Sequence, residues 1–247
     1  MKVLEALSFL TRLPMRAGWV THGRPSPDLL AYFPFAGLLI GGLQACFYLG
    51  LVQIFSADLA VLLTMCLGLF VSGAFHEDGL ADVADSLGGF TQERRLEILK
   101  DSRLGTFGTT ALVFFFIIKW QCLSGLSSHG PGSIASLLVI LGAWSRLAPI
   151  ILLRLLPYVG SALGQTFSAT PWPLIAGLVV FFFALGAMAL GPVMFLLLAA
   201  AVALLAGLGV AFRRLYGGVT GDAMGAGICL LELASLLILS AGRAWVN

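Results

Sequence analysis

The segment His76-Glu-Asp-Gly-Leu-Ala-Asp-Val-Ala-Asp85 holds four carboxylates, Glu77, Asp78, Asp82 and Asp85, in a chain of 247 residues with only 12 acidic side chains. It follows directly on an uncharged apolar run that ends at Phe75. On an α-helix at 100° per residue, Asp78, Asp82 and Asp85 fall within roughly 60° of one another. Like charges so close repel unless a cation holds them, and hard oxygen ligands suit Mg²⁺. The spacing therefore points to one or two divalent ions and to phosphate chemistry, with a solvated acidic loop as the plainer alternative. His76 is a lesser candidate, as general base or as metal ligand.

The elements that must position these residues are membrane helices. Hydrophobic residues make up 59% of the chain, charged residues only 11%, and the mean hydropathy is +1.00. A spanning helix needs about 20 mostly apolar residues. Seven stretches qualify, at roughly 31–55, 59–75, 108–126, 133–155, 174–190, 192–210 and 226–241. The fifth and sixth are separated only by Leu190, Gly191 and Pro192, so a re-entrant hairpin is the alternative there. The expected fold class is all-α, a polytopic single transmembrane domain over 1–247. Residues 1–14 are expected as an interfacial helix with Val3, Leu7 and Leu10 on one face, stopped by Pro14. Segments 76–107 and 211–225 are expected as active-site loops.

Positive charge stays on the cytoplasmic side of a bilayer. With the N-terminus inside, the inner segments carry Lys2, Arg12, Arg16, Arg24, Arg94, Arg95, Lys100, Arg103, Arg213 and Arg214, and the outer ones only Arg243. The acidic segment then faces the cytoplasm. A net charge of +2 and the lack of any basic stripe give no sign of nucleic-acid binding. Cys46, Cys66, Cys122 and Cys229 have no C-x-x-C spacing and read as apolar packing residues. Trp19, Trp144 and Trp172 suit interfacial anchoring. Small residues such as Gly186, Gly191 and Gly207 permit close packing within one subunit or in a homo-oligomer.

Two glycine-rich segments share the inner face with the acidic one. In Lys100-Asp-Ser-Arg-Leu-Gly-Thr-Phe-Gly108, Asp101 can complete a metal shell and Arg103 can take a phosphate in bidentate geometry. Gly105 and Gly108 would let the backbone approach a ligand. In Gly217-Gly-Val-Thr-Gly-Asp222, which runs into the last helix, the amides at a helix N-terminus favour anions, and Asp222 is a metal ligand or merely the N-cap. Within the membrane, Arg146 lies roughly 13 Å from the inner end of its helix and Glu232 roughly 9 Å from the start of its own. Such similar depths lead us to expect a pair, or an Arg146 that reaches a substrate phosphate with Glu232 holding it. Lys119, about 15 Å into its helix, either joins this pair or snorkels outward beside Trp120, and the structural reading is preferred.

Taken together, Phe9-Leu-Thr-Arg-Leu-Pro14, the acidic segment, Lys100–Gly108, Ser145-Arg146 and Gly217–Asp222 resemble cobalamin synthase, the adenosylcobinamide-GDP ribazoletransferase family of inner-membrane enzymes. The resemblance spans nearly the whole chain. It implies that adenosylcobinamide-GDP is joined to α-ribazole or its 5′-phosphate with release of GMP, and that Mg²⁺ is the cofactor. It implies metal ligands among Glu77, Asp78, Asp82 and Asp85, catalytic roles among Asp85, Asp101, Asp222, Arg103 and Arg146, and substrate contacts from Arg12, Gly105, Gly108, Gly217, Gly218, Thr220, Gly221 and Glu232. Glu77 departs from the family pattern, in which many relatives carry an apolar residue at this position. The logic is also similar to that of the CDP-alcohol phosphotransferases, but Asp82 and Val83 stand where that family has Ala and Arg. A cation or cobalt-precursor transporter is the alternative from another class, although few ionisable groups lie near the bilayer midplane.

Overall fold

The computed structural model describes residues 2–14, 25–160, 167 and 170–242, and Arg16, Trp19, His22, Arg24 and Arg243 lie outside them. The helices among the described residues are α1 (Lys2–Leu10), α2 (Phe33–Leu51), α3 (Ala57–Ser72), α4 (Phe75–Ser86), α5 (Gln92–Ile98), α6 (Thr106–Leu126), α7 (Pro131–Ser145), α8 (Leu147–Leu155), α9 (Trp172–Leu190), α10 (Val193–Tyr216) and α11 (Gly221–Ala241). Among the described residues, six segments are long and apolar enough to cross a membrane: Leu29–Leu51, Thr106–His129, Pro131–Leu155, Trp172–Leu190, Val193–Tyr216 and Gly221–Ala241. A seventh is made only by α3 and α4 together, bent by 88°. The protein is therefore an all-α, multi-pass membrane protein. α9 and α10 each satisfy the length of a full span, separated at Gly191 (φ +72°).

The bend between α3 and α4 has a local cause. Gly73 (φ +64°) and Ala74 (φ +56°) are both left-handed, which stops α3 and turns the chain. The 16-residue α3 is about 24 Å long, short of the roughly 30 Å hydrocarbon core. Thus the acidic segment is not an extended loop. It is a helix leaning into the bundle, followed by a second short helix, α5.

Close helix contact elsewhere rests on small residues. α2 crosses α7 where Gly37 and Gly41 face Gly142 and Leu138, and a Cβ on either α2 glycine would collide with the carbonyl opposite. The span at 131–155 is broken at Arg146 (φ −78°, ψ 1°), because Pro149 offers no N–H to the carbonyl one turn earlier. α1 ends at Leu10, before the expected Pro14, and the Thr11 hydroxyl donates back to Leu7 O at 2.6 Å. Ala6, Leu7 and Leu10 are buried against the protein, and Glu5 accepts from Ser26 N and Oγ at 2.7 Å each. Trp144 is only 2% exposed, a core residue and not an interfacial anchor.

Gly73→Ala tests the bend. A methyl there is strained by the positive φ and meets Arg12 Cγ and Nε at 2.7 Å. We expect a loss of about 1–2 kcal/mol, seen as a lower melting temperature of the detergent-purified protein.

Candidate active site

The acidic helix reaches its partners through missing side chains. A Cβ on Gly79 would lie 2.7 Å from the Asp222 carbonyl oxygen and 3.0 Å from its Cα, and one on Gly225 would lie 3.3 Å from His76 Cα. α4 and α11 therefore touch backbone to backbone, and Asp222 comes beside the carboxylates of α4. Thr220 is the N-cap of α11, its hydroxyl accepting from Ala223 N at 3.1 Å, and the Asp222 carboxylate beside it accepts from the Thr220 hydroxyl and from its own amide. Half-buried Asp82 lies in the negative field of Asp78, Asp222 and Asp85. Among the described residues no three such side chains already converge into a ready metal cage. Mg²⁺ needs none, because it keeps several waters and binds through one or two carboxylates plus substrate phosphates. The donor set is all carboxylate and mutually repulsive, which fits such an ion.

Asp85 has a second task. Its carboxylate accepts from Gly105 N at 2.7 Å and from Gly108 N at 2.8 Å, clamping the amides at the start of α6. A Cβ on either glycine would collide with that carboxylate. In this structure Gly105 and Gly108 thus bring the backbone close to Asp85.

Glu77 faces away from Asp78 and Asp82. It lines a buried polar chamber of about 40 Å³ together with His76, Lys119, Arg146 and Glu232. The expected Arg146–Glu232 pair is corrected here: Glu232 pairs with Lys119 at 2.9 Å, so Lys119 is its partner. Arg146 donates to Gly142 O at 2.6 Å, filling the carbonyl exposed at the break after α7. His76 Nε2, one Glu77 oxygen and Arg146 Nε are buried without a protein partner, and the chamber has room for water to meet them.

Other expected site residues are spread along the same end. Arg103 grips Asp101 through 2.6–3.1 Å hydrogen bonds on the exposed surface, and these hold the Asp101 carboxyl down at about 2. Asp101 thus answers Arg103 and not the α4 carboxylates. Gly217 (φ +77°) ends α10, facing Gln92, while a Cβ on Gly218 would collide with Pro157 O. The pairing of Val159 N with Val219 O (2.8 Å) and Val219 N with Pro157 O (2.9 Å) explains that approach. Arg12 is exposed and its side chain packs at Gly73, on the α3–α4 bend. Sequence reasoning missed Tyr216. It is fully buried, meets Ser86 Oγ at 2.6 Å and offers its carbonyl to Gln92 Nε2 at 2.9 Å, tying α4 and α5 to α10. Only its place before Gly217 hints at this.

Comparison with known proteins now bears on the site. A family model described as cobalamin-5-phosphate synthase matches residues 2–240. The chain belongs to that family. Proteins named adenosylcobinamide-GDP ribazoletransferase are similar to it in Shewanella pealeana (35% identical, 97% of this chain and 95% of the relative), Vibrio cholerae (35%, 96% and 92%) and Shewanella halifaxensis (34%, 97% and 95%). No solved structure matches. Family membership does not favour a CDP-alcohol phosphotransferase or a transporter, and it turns attention to the carboxylates shared by α4 and α11.

Asp85→Asn should leave one α6 amide without its acceptor and cost roughly 1–3 kcal/mol, with or without added Mg²⁺, in thermal unfolding. Replacing Glu232 alone by Gln should strand the Lys119 ammonium and cost roughly 3–5 kcal/mol. The double change Lys119→Met with Glu232→Leu should recover most of that loss in the same assay.

Proposed function

We propose that this chain joins adenosylcobinamide-GDP to α-ribazole or α-ribazole 5′-phosphate, giving adenosylcobalamin or its 5′-phosphate and GMP. The observation that carries the reading is the meeting of Asp78 and Asp82 on α4 with Asp222 on α11, in a chain matched by the family model over residues 2–240. In phosphoryl transfer the protein mostly positions groups and offsets developing charge. Asp78 and Asp82, with Asp85 at the edge, would hold Mg²⁺, which when bound neutralises charge on the diphosphate. Glu77, turned into the chamber, supports α4 instead.

Asp222 takes the proton from the attacking ribose hydroxyl. That oxygen bonds to the phosphorus carrying the cobinamide ester, the bond from this phosphorus to the bridging oxygen breaks, and GMP leaves with the electron pair. Arg103, largely exposed beside the start of α6, exchanges Asp101 for a phosphate of the leaving nucleotide. Arg146 stays with the chamber and the break after α7. The excess of basic residues in the connections at this end supports placing it on the cytoplasmic face of the bacterial inner membrane.

The test is GMP release by the detergent-purified protein from adenosylcobinamide-GDP and α-ribazole 5′-phosphate. Release should require both acceptor and Mg²⁺. Asp82→Asn should lower turnover by about 10²–10³-fold, while Asp101→Asn should change it by less than about threefold. Near-normal turnover of Asp82→Asn at limiting Mg²⁺ would remove Asp82 from the site.

A further inference from the structure

Beside Asp222, on the face of α11 that carries Gly221, lies a cavity of about 430 Å³. Leu96, Leu99, Lys100, Tyr158, Gly221 and Asp222 are among the residues that line it. We propose that this cavity binds the acceptor, a ribonucleotide with an apolar aromatic base: the base against Tyr158 and the leucines, the 5′-phosphate on Lys100, and the ribose hydroxyl at Asp222. The proposal rests on the reading above and assigns one of its two substrates to a pocket.

Several observations point the same way. The volume falls in the range of small-molecule sites, which suits one nucleotide and is too small for a corrin with its nucleotide. The base end is lined by aliphatic carbons and one aromatic ring. Such a wall suits an apolar base, and among the described residues that line it there is no side-chain amide to read the edge of a guanine. Lys100 is exposed and has no ion-pair partner among the described side chains, so its ammonium is available to a phosphate.

Tyr158 is held in place by its own backbone. Its segment is bridged to Val219 by the two hydrogen bonds at 2.8 and 2.9 Å, two residues before α11 begins. The phenol oxygen lies 3.9 Å from where a Cβ on Gly221 would sit, within ordinary van der Waals reach, so the Tyr158 ring stands beside the start of α11, next to Asp222. Asp222 belongs to both places at once. It lines the cavity, and its charge acts on Asp82. A hydroxyl delivered there arrives next to the α4 carboxylates.

Steady-state kinetics with each substrate varied in turn tests the assignment. Lys100→Gln should raise KM for α-ribazole 5′-phosphate about tenfold, and KM for α-ribazole less than threefold. Tyr158→Ala and Gly221→Val should raise KM for both acceptors, and Tyr158→Phe should stay within about threefold of the parent. KM for adenosylcobinamide-GDP should move less than twofold throughout. A Lys100→Gln effect that falls equally on both acceptors, or on the donor, or on neither, would overturn the proposal. GMP release by the unmodified protein reports on the overall reaction separately, so failure of the pocket and failure of the reaction are told apart. Equilibrium binding of α-ribazole 5′-phosphate without donor, weakened by Lys100→Gln, provides a readout that does not depend on turnover.

Discussion

Because residue 79 lacks a side chain, the backbone of α4 lies against Asp222 at the start of α11, closer than any Cβ would permit. The approach of Asp222 to the α4 carboxylates depends on that crossing. It brings Asp222 into the field of Asp82 although the two are far apart in sequence. Gly225 extends the contact toward His76, and Tyr216 pins the far end of α4 through Ser86. Four like charges are thus held by backbone packing and apolar burial, which supply the energy that their mutual repulsion opposes.

One turn of chain divides the charges of α4 between two environments. Asp78 and Asp82 turn toward Asp222, whereas Glu77 turns toward Lys119, Arg146 and Glu232 in the membrane interior. In the chamber two acidic and two basic residues balance, which is how ionisable groups persist at such depth. The chamber also gives the short α4 a polar anchor in an otherwise apolar bundle. The exposed Asp101–Arg103 fork is different. With Asp101 held down at about 2, the pair stays ionised well below neutrality, and its stabilising share fades only as pH falls from the usual carboxylate range through that value.

Much of this was legible from residue spacing. Five of the seven expected stretches coincide with helices that satisfy the length of a span outright, and the sixth, 133–155, does so across the break at Arg146. The stretch at 59–75 is an uncharged apolar run, but the left-handed pair Gly73–Ala74 stops α3 at 16 residues, and it passes as a span only together with α4, across the 88° bend. The Arg146–Glu232 pairing failed for a definite reason. Rise per residue gives depth along a helix but not the direction in which a side chain points, and at that depth Lys119 on α6 faces Glu232. The spacing of Gly105 and Gly108 suggests a backbone that approaches a ligand, and that of Gly217–Asp222 an anion at a helix N-terminus. Gly105 and Gly108 make room for Asp85, and Gly218 for Pro157 O.

The sequence by itself determined a multi-pass helical protein, the family to which it belongs, and which segment bears the carboxylates. Those properties are set by local composition, periodicity and short motifs, all written along the chain. Only the tertiary structure decided that Asp222 joins Asp78 and Asp82, that Glu77 turns inward, and that Tyr158 and Lys100 share a cavity with Gly221. These depend on helix crossing angles and azimuths, which are fixed by close contacts between residues far apart in sequence.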